Sequence, residues 1–89
     1  MQDDHRIMAV HVTDRLTKAQ QVQALLTEYG CSIKTRLGLH ETSPDACSPN
    51  GILILELVGG AQVCDELLTK LNTIGGIEAK TVTFSHAVP

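Results

Sequence analysis

Apolar residues follow two alternating periods along the chain, one typical of strands and one typical of helices. Residues 7–12 are a short, mostly apolar run of strand-favouring residues, which predicts a first strand. From Thr17 to Tyr29 apolar residues recur every three or four positions, which predicts a helix that Gly30 ends. Asp14 or Thr17 is the expected N-cap of this helix. Residues 33–39 then alternate between apolar and polar, which predicts a half-buried strand. The apolar helix positions are Ala19, Val22, Leu25, Leu26 and Tyr29.

The second half of the chain shows the same succession. Residues 52–58 predict a third strand, and a glycine pair at 59–60 leads into a second helix. A second glycine pair at 75–76 ends that helix, and residues 77–84 predict the fourth strand. Between the halves, residues 40–50 form a polar segment with two prolines, which we interpret as a long loop. The expected apolar face of the second helix comprises Cys64, Leu67, Leu68, Leu71 and Ile74.

The two halves are an internal repeat. Residues 6–39, moved forward by 45 positions, fall on residues 51–84 without a gap, and apolar residues meet apolar ones. Two strand–helix–strand units predict a single α+β domain over residues 1–89, with its core in about 6–84. This βαββαβ order is typical of the ferredoxin-like sandwich, with an antiparallel sheet of order 4-1-3-2 and both helices on one face. A parallel sheet would need a helix between the second and third strands, where the chain offers only a loop.

Strand periodicity assigns residues to the two faces of this sheet. The residues expected to face the helices are Met8, Val10, Val12, Leu37, Leu39, Leu53, Leu55 and Leu57. The residues expected on the other face are Ile7, Ala9, His11, Ile52, Ile54 and Glu56. Because this second face is too apolar to be left in water, we predict that it is the interface of a homo-oligomer, either a dimer or a tetramer.

His11 and Glu56 occupy equivalent positions in the two repeats, which suggests a catalytic or metal pair. However, the first and third strands run antiparallel, so equivalent positions lie towards opposite ends of the sheet. We therefore expect the two side chains not to touch within one subunit. The simpler interpretation is that His11 is partly buried at the interface.

Composition excludes several classes of function. The net charge is −3 and the seven basic residues form no cluster, which argues against direct nucleic-acid binding. No apolar run approaches the ~18 residues of a membrane helix, and the polar start of the chain is unlike a signal peptide. The three cysteines are widely separated and odd in number, which fits a reducing, cytoplasmic setting.

Candidate catalytic and metal-binding motifs are weak. The sequence contains no GxSxG, Walker loop or HExxH motif, so we predict no catalytic residues, no enzymatic activity and no cofactor. The segment at 40–47 holds His40, Glu41, Asp45 and Cys47 without the spacing of a structural zinc site. A metal-responsive module that uses His40 and Cys47 is the alternative hypothesis.

One end of the predicted sheet is the place where a ligand could bind. The turn at residues 13–15 and the loop at 40–50 share that end, because the first and second strands run parallel with the third between them. The start of the first helix offers free backbone N–H groups, which suit an anion. The candidate effector-binding residues are Asp14, Arg15, Arg36, Gly38 and His40.

Residues 28–39, 51–60 and 70–80 resemble a family of small ACT-like proteins, the iron-only hydrogenase system regulators. The most specific segments are Tyr29-Gly30, the Arg-x-Gly-Leu at 36–39 and the stretch that leads through Gly75-Gly76 into the fourth strand. The resemblance implies an ACT-type, ferredoxin-like fold, oligomerisation and a regulatory role. The family also looks like the nickel-binding domain of nickel-responsive repressors, but Gly38 and Leu39 stand in the region where those proteins place histidines. We therefore predict a non-catalytic regulatory or ligand-sensing domain.

Overall fold

The part of the chain that the structure describes forms two α-helices, one short 3₁₀ helix and four strands. A computed structural model of the chain describes residues 4–13, 15–39 and 51–85. The elements in chain order are β1 (His5–Val12), α1 (Arg15–Glu28), a short 3₁₀ helix (Gly30–Ser32), β2 (Ile33–Leu39), β3 (Gly51–Leu57), α2 (Ala61–Asn72) and β4 (Ile77–Phe84).

The four strands form one antiparallel sheet of order β2-β3-β1-β4. β1 lies at the centre, where Met8 pairs with Leu55 of β3 and with Thr81 of β4. Read from the other edge, this order is the predicted 4-1-3-2, so the ferredoxin-like α+β fold is confirmed.

The core lies between the sheet and the helices. Alternate residues of the central strands point towards the helices, and their apolar side chains are removed from water. The buried residues are Met8, Val10, Val12, Val22, Leu26, Leu55, Leu57, Cys64, Leu67, Leu71, Ile77 and Ala79. Leu53 is partly buried against them. The predicted helix-facing positions of β1 and β3 are therefore confirmed.

The first helix begins earlier than its sequence suggests. It begins at Arg15, so Thr17 lies within the helix and its prediction as the N-cap is wrong; Asp14 lies outside the described residues. Val22 and Leu26 are buried, but Ala19 is exposed, so its predicted place in the apolar stripe is wrong too. Leu25 and Tyr29 are partly buried against the same core, so four of the five predicted apolar positions of α1 contact it.

The second helix has a clearer apolar face. Cys64, Leu67 and Leu71 are buried, while Leu68 and Ile74 pack against the same cluster, as predicted. The turn before α2 uses Gly59 and Gly60 with φ angles of 102° and 94°, a backbone region that residues with a Cβ rarely adopt.

A polar cluster links the ends of the two helices. Lys70 donates a hydrogen bond of 2.9 Å to Glu28 and lies 5.0 Å from the centre of the Tyr29 ring. The Tyr29 hydroxyl donates to Glu66 at 3.3 Å. Hydrogen bonds with Tyr29 and Glu28 raise the pKa of Lys70. The cluster therefore joins α1 to α2 on the solvent side of the core.

An irregularity in β2 reverses the faces of its later residues. Ile33 pairs with Leu57, whereas Thr35 pairs with Glu56, so Lys34 is an extra residue in the ladder. After this bulge Leu37 pairs with Ile54 on the face away from the helices, and 54% of Leu37 is exposed. The backbone of Leu39 pairs with Ile52 in the same register. The predicted helix-facing position of Leu37 is therefore wrong, because one inserted residue reverses a period of two. The side chain of Leu39 lies outside the described part of the chain.

A pair of leucine substitutions tests this assignment of faces. Leu55→Ala empties a fully buried position and is expected to lower the free energy of unfolding by about 2–5 kcal/mol. Leu37→Ala removes the same atoms from an exposed position and is expected to cost under ~1 kcal/mol. Urea unfolding, measured at low protein concentration to limit association, compares the two variants. Similar losses for both would contradict the reversed register.

Candidate functional site

The sheet face opposite the helices, here called the open face, carries the six predicted interface residues. They form three directly opposed pairs between β1 and β3. These pairs are Ile7 with Glu56, Ala9 with Ile54, and His11 with Ile52. Within the described residues no helix covers this face, because both helices pack on the opposite one.

Other large apolar side chains extend the open face beyond the predicted set. Leu37 reaches it from β2, and Val82 and Phe84 reach it from β4. Their exposed fractions are 54%, 54% and 58%. A sequence signal for Val82 and Phe84 does exist, because they alternate with Ile77 and Ala79, which are buried. No periodicity indicates the position of Leu37, because the bulge at Lys34 precedes it.

These side chains form a diagonal stripe, which we call the apolar band. It begins at the carboxyl end of β4, crosses the centre of the sheet and ends on β3 and β2. The band comprises Phe84, Val82, Ile7, Ala9, Ile54, Ile52 and Leu37.

Charged residues occupy the two corners of the open face that lie on either side of the apolar band. In the first corner Glu56 accepts a hydrogen bond of 3.3 Å from the Thr35 hydroxyl. The Glu56 carboxylate also lies 3.8 Å from His5 Nδ1 and 3.9 Å from Lys34 Nζ. In the second corner Lys80 lies 3.6 Å from Glu78 on the same strand. Both corners therefore combine an acidic and a basic group.

The second corner borders a shallow depression of about 260 Å³. Its lining consists of Ala9, His11, Ile52, Glu78 and Lys80. Two of these residues belong to the apolar band and three are polar, so the depression lies at the border between the band and the second corner.

His11 and Glu56 are separated, as the antiparallel pairing predicts. Glu56 pairs with Ile7, which is four residues before His11 on β1. Four strand residues span about 13 Å, so the two side chains do not share a site within one chain. A catalytic or metal pair between them is therefore excluded within the subunit.

Each edge of the sheet has a feature that hinders pairing with a further strand. On the β4 edge, the Asn72 side chain donates to the carbonyl of Ala79 at 3.1 Å and accepts from its N–H at 2.8 Å. Asn72 thereby occupies backbone groups that another strand would use. On the β2 edge, the bulge and the side chain of Lys34 interrupt a regular ladder. Bulges, charged residues and covered backbone groups are common ways of protecting an edge.

The predicted effector end of the sheet is only partly described. Val12 pairs with Gly51, so the end of β1 and the start of β3 lie at this end. The N–H of Thr13 donates to the carbonyl of Gly76 at 2.8 Å, which fixes the chain just after β1. Asp14, His40 and the loop at 40–50 lie outside the described residues, and so does the side chain of Arg15 at the start of α1.

Arg36 and Gly38 lie at different distances from this end. Both are exposed on the helix side of β2, where Gly38 pairs with Leu53 and Arg36 with Leu55. Gly38 is therefore level with Val10, whereas Arg36 is two residues further from the end, by about 7 Å. A Cβ at Gly38 would lie 3.3 Å from a methyl group of Leu53, so the glycine leaves room for this side chain.

Metal-ligating residues are scattered in the described part of the chain. Residues 4–13, 15–39 and 51–85 contain no group of three or more His, Cys, Asp or Glu side chains that could hold a metal ion. His40 and Cys47, the candidates for the alternative hypothesis, lie outside those ranges. Cys31 is exposed, while Cys64 is buried, and burial raises the pKa of its thiol. Cys64 therefore acts as a packing residue.

Among the helices of the described residues, none is long and apolar enough to cross a membrane.

Solved structures share this fold. The uncharacterized protein TM1266 from Thermotoga maritima is 26% identical, with a TM-score of 0.79 over 92% of this chain and 99% of its own. CPII from Thiomonas intermedia K12, solved with ADP, AMP and acetate, is 8% identical, with a TM-score of 0.57 over 100% of this chain and 94% of its own. No protein-family model matches the sequence, and a search of curated proteins gives no match.

A longer chain contains a similar unit. A formyltetrahydrofolate deformylase from Pseudomonas putida KT2440 is 13% identical, with a TM-score of 0.55 over 88% of this chain. The match spans only 28% of the deformylase chain. Identities this low show the fold alone, so these neighbours support the ferredoxin-like architecture.

Substitution of Asn72 tests its role at the β4 edge. Asn72→Ala removes both hydrogen bonds to Ala79 and is expected to lower the free energy of unfolding by about 1–2 kcal/mol. Gln62→Ala, at an exposed position of the same helix, is the control and is expected to change it by under ~0.5 kcal/mol. Urea unfolding measures both values. Equal stability of the Asn72→Ala variant and the native chain would contradict this role.

Proposed function

We propose that this protein is a non-catalytic regulatory domain that forms a homo-oligomer through the open face and binds a small effector at the end of the sheet beside Thr13. One observation carries the proposal. Two helices cover one face of the sheet, whereas the other carries the apolar band, in which four large side chains are exposed to solvent.

The exposed band supports oligomerisation. Four of the five exposed large hydrophobic residues in the described part of the chain belong to it: Leu37, Ile52, Val82 and Phe84. Contiguous apolar surface of this kind is typical of interfaces. A chain of 89 residues also buries a limited share of its surface by folding alone, so association adds burial that the monomer lacks.

The connectivity at the end of β1 supports effector binding there. β1 ends at Val12 and α1 begins at Arg15, so the free N–H groups of the first helical turn lie at this end. These groups and the helix dipole favour a carboxylate or a phosphate. The proposed binding residues are Asp14, Arg15, Arg36, Gly38 and His40. Gly38 lies nearer to this end of the sheet than Arg36 does.

The family assignment is part of the same proposal. The segments at 28–39, 51–60 and 70–80 resemble the ACT-like iron-only hydrogenase system regulators. The match to TM1266 spans 92% of this chain and 99% of that one, which supports a shared fold over the whole of the compared domain. We assign the chain a place beside these regulators, with a cytoplasmic location.

The oligomer is tested by light scattering coupled to size exclusion. The native chain is expected to elute at two or four times its monomer mass of 9.6 kDa. Ile54→Asp places a charge at the centre of the band and is expected to give monomers, because the carboxylate would be desolvated in the interface. Ala19→Asp adds the same charge at an exposed position of α1 and is expected to leave the oligomer intact. A monomeric native chain would refute oligomerisation.

Effector binding is tested by a thermal-shift screen of amino acids, acetate, adenine nucleotides and divalent metal ions. A ligand at a hundred times its dissociation constant stabilises the native state by about 2.7 kcal/mol. The ligand-induced shift is expected to fall in Arg36→Ala and to persist in Lys34→Ala, whose side chain lies on the open face. If no compound raises the melting temperature, effector binding is contradicted. A response to Ni²⁺ or Zn²⁺ alone, lost in His40→Ala and Cys47→Ala, would favour the metal-responsive alternative.

A further inference from the structure

We propose that the open face receives a second copy of this chain around a two-fold axis that runs along the apolar band, so that Lys80 of each copy faces Glu56 of the other. This inference rests on the proposed oligomerisation and adds the relative orientation of the two copies, which we call their seating. It follows from where the register places the band and the charged corners.

The register defines a grid of side chains on the open face. One row contains Glu56, Ile7 and Val82, and the next contains Ile54, Ala9 and Lys80. Strands are about 4.8 Å apart and rows about 6.8 Å apart, so the apolar band runs at roughly 40° to the strands. Glu56 lies on one side of the band and Lys80 on the other, at similar distances from it.

Symmetry limits how two identical faces can meet. In a closed dimer with the open faces opposed, the two-fold axis lies between the sheets and parallel to them. The band of one copy covers the band of the other only if this axis runs along the band or across it. Both arrangements bury the same apolar side chains, so apolar burial alone does not distinguish them.

The charged corners distinguish the two arrangements. An axis across the band places Lys80 against Lys80 of the other copy, and Glu56 against Glu56. An axis along the band exchanges the corners, so Lys80 lies over Glu56 of the other copy, and Glu78 lies near Lys34 of the other copy. Opposed like charges cost free energy and opposite charges gain it, so the axis along the band is favoured. The symmetry produces each of these ion pairs twice.

The sheet edges favour this arrangement over lateral pairing of strands. Asn72 already occupies the backbone groups of Ala79 on the β4 edge, and the bulge at Lys34 interrupts the β2 edge. With the axis along the band, the strands of the two copies cross steeply, at roughly 70–90°, as in orthogonal sheet packing.

Charge exchange between Glu56 and Lys80 tests the seating. Glu56→Lys and Lys80→Glu are each expected to weaken dimerisation roughly tenfold or more, because each places like charges in opposition at two sites. The double variant restores both pairs with reversed sign and is expected to recover most of the native affinity. Asp65→Lys with Lys80→Glu has the same net charge, but its new lysine lies on α2, so no recovery is expected. Sedimentation equilibrium measures the dissociation constants.

Milder substitutions keep the test valid if the charge-reversed chains misfold. Glu56→Gln and Lys80→Gln are expected to weaken dimerisation and to reduce its dependence on salt, with circular dichroism confirming the fold. If Ile54→Asp gives monomers but neither charge exchange nor neutralisation has an effect, the seating is refuted while oligomerisation through the open face stands. Single variants that weaken association without recovery in the double variant also refute it. If Ile54→Asp leaves the oligomer intact, both proposals fail.

Discussion

The structure depends on one constraint: two helices cover only one face of a four-stranded sheet. Side chains of a strand alternate between faces, so β1 cannot bury Met8 and Val10 against the helices without presenting Ile7 and Ala9 to the other side. The same alternation holds on β3 and β4. A sequence with apolar residues on both sides of these strands therefore folds with a closed core on one face and an apolar surface on the other. Association through the open face is the proposed way of covering that surface.

The bulge at Lys34 determines how far this surface extends. It lets Ile33 pack against the core at the start of β2 and then moves Leu37 to the open face. Arg36 and Gly38 consequently take the helix side, where neither fills the core. Lys34, the inserted residue, lies with its Nζ 3.9 Å from the Glu56 carboxylate. One irregularity thus lengthens the apolar band, supplies a cation to the first corner and separates two proposed effector residues from the open face.

Periodicity predicts which residues β1 and β3 contribute to the open face, but not which residue β2 contributes. Ile7, Ala9 and Ile54 lie on the open face as predicted, because β1 and β3 are regular strands whose alternation is unbroken. Periodicity alone places Leu37 on the wrong face, since an inserted residue leaves no trace in an alternating pattern. Asn72 was not predicted at all, because its two hydrogen bonds join a helix to an edge strand and depend on their relative position.

The sequence by itself determined the order of the elements, the repeat that relates the two halves, and the existence of a second apolar face. These features follow from local periodicity, since a strand or a helix buries the side that its own residues make apolar. Only the tertiary structure decided the register of β2, the diagonal course of the apolar band and the opposition of Glu56 and Lys80 across it. Those features depend on which residues of different strands stand side by side, and hydrogen-bonded pairing sets that arrangement only when the sheet has formed.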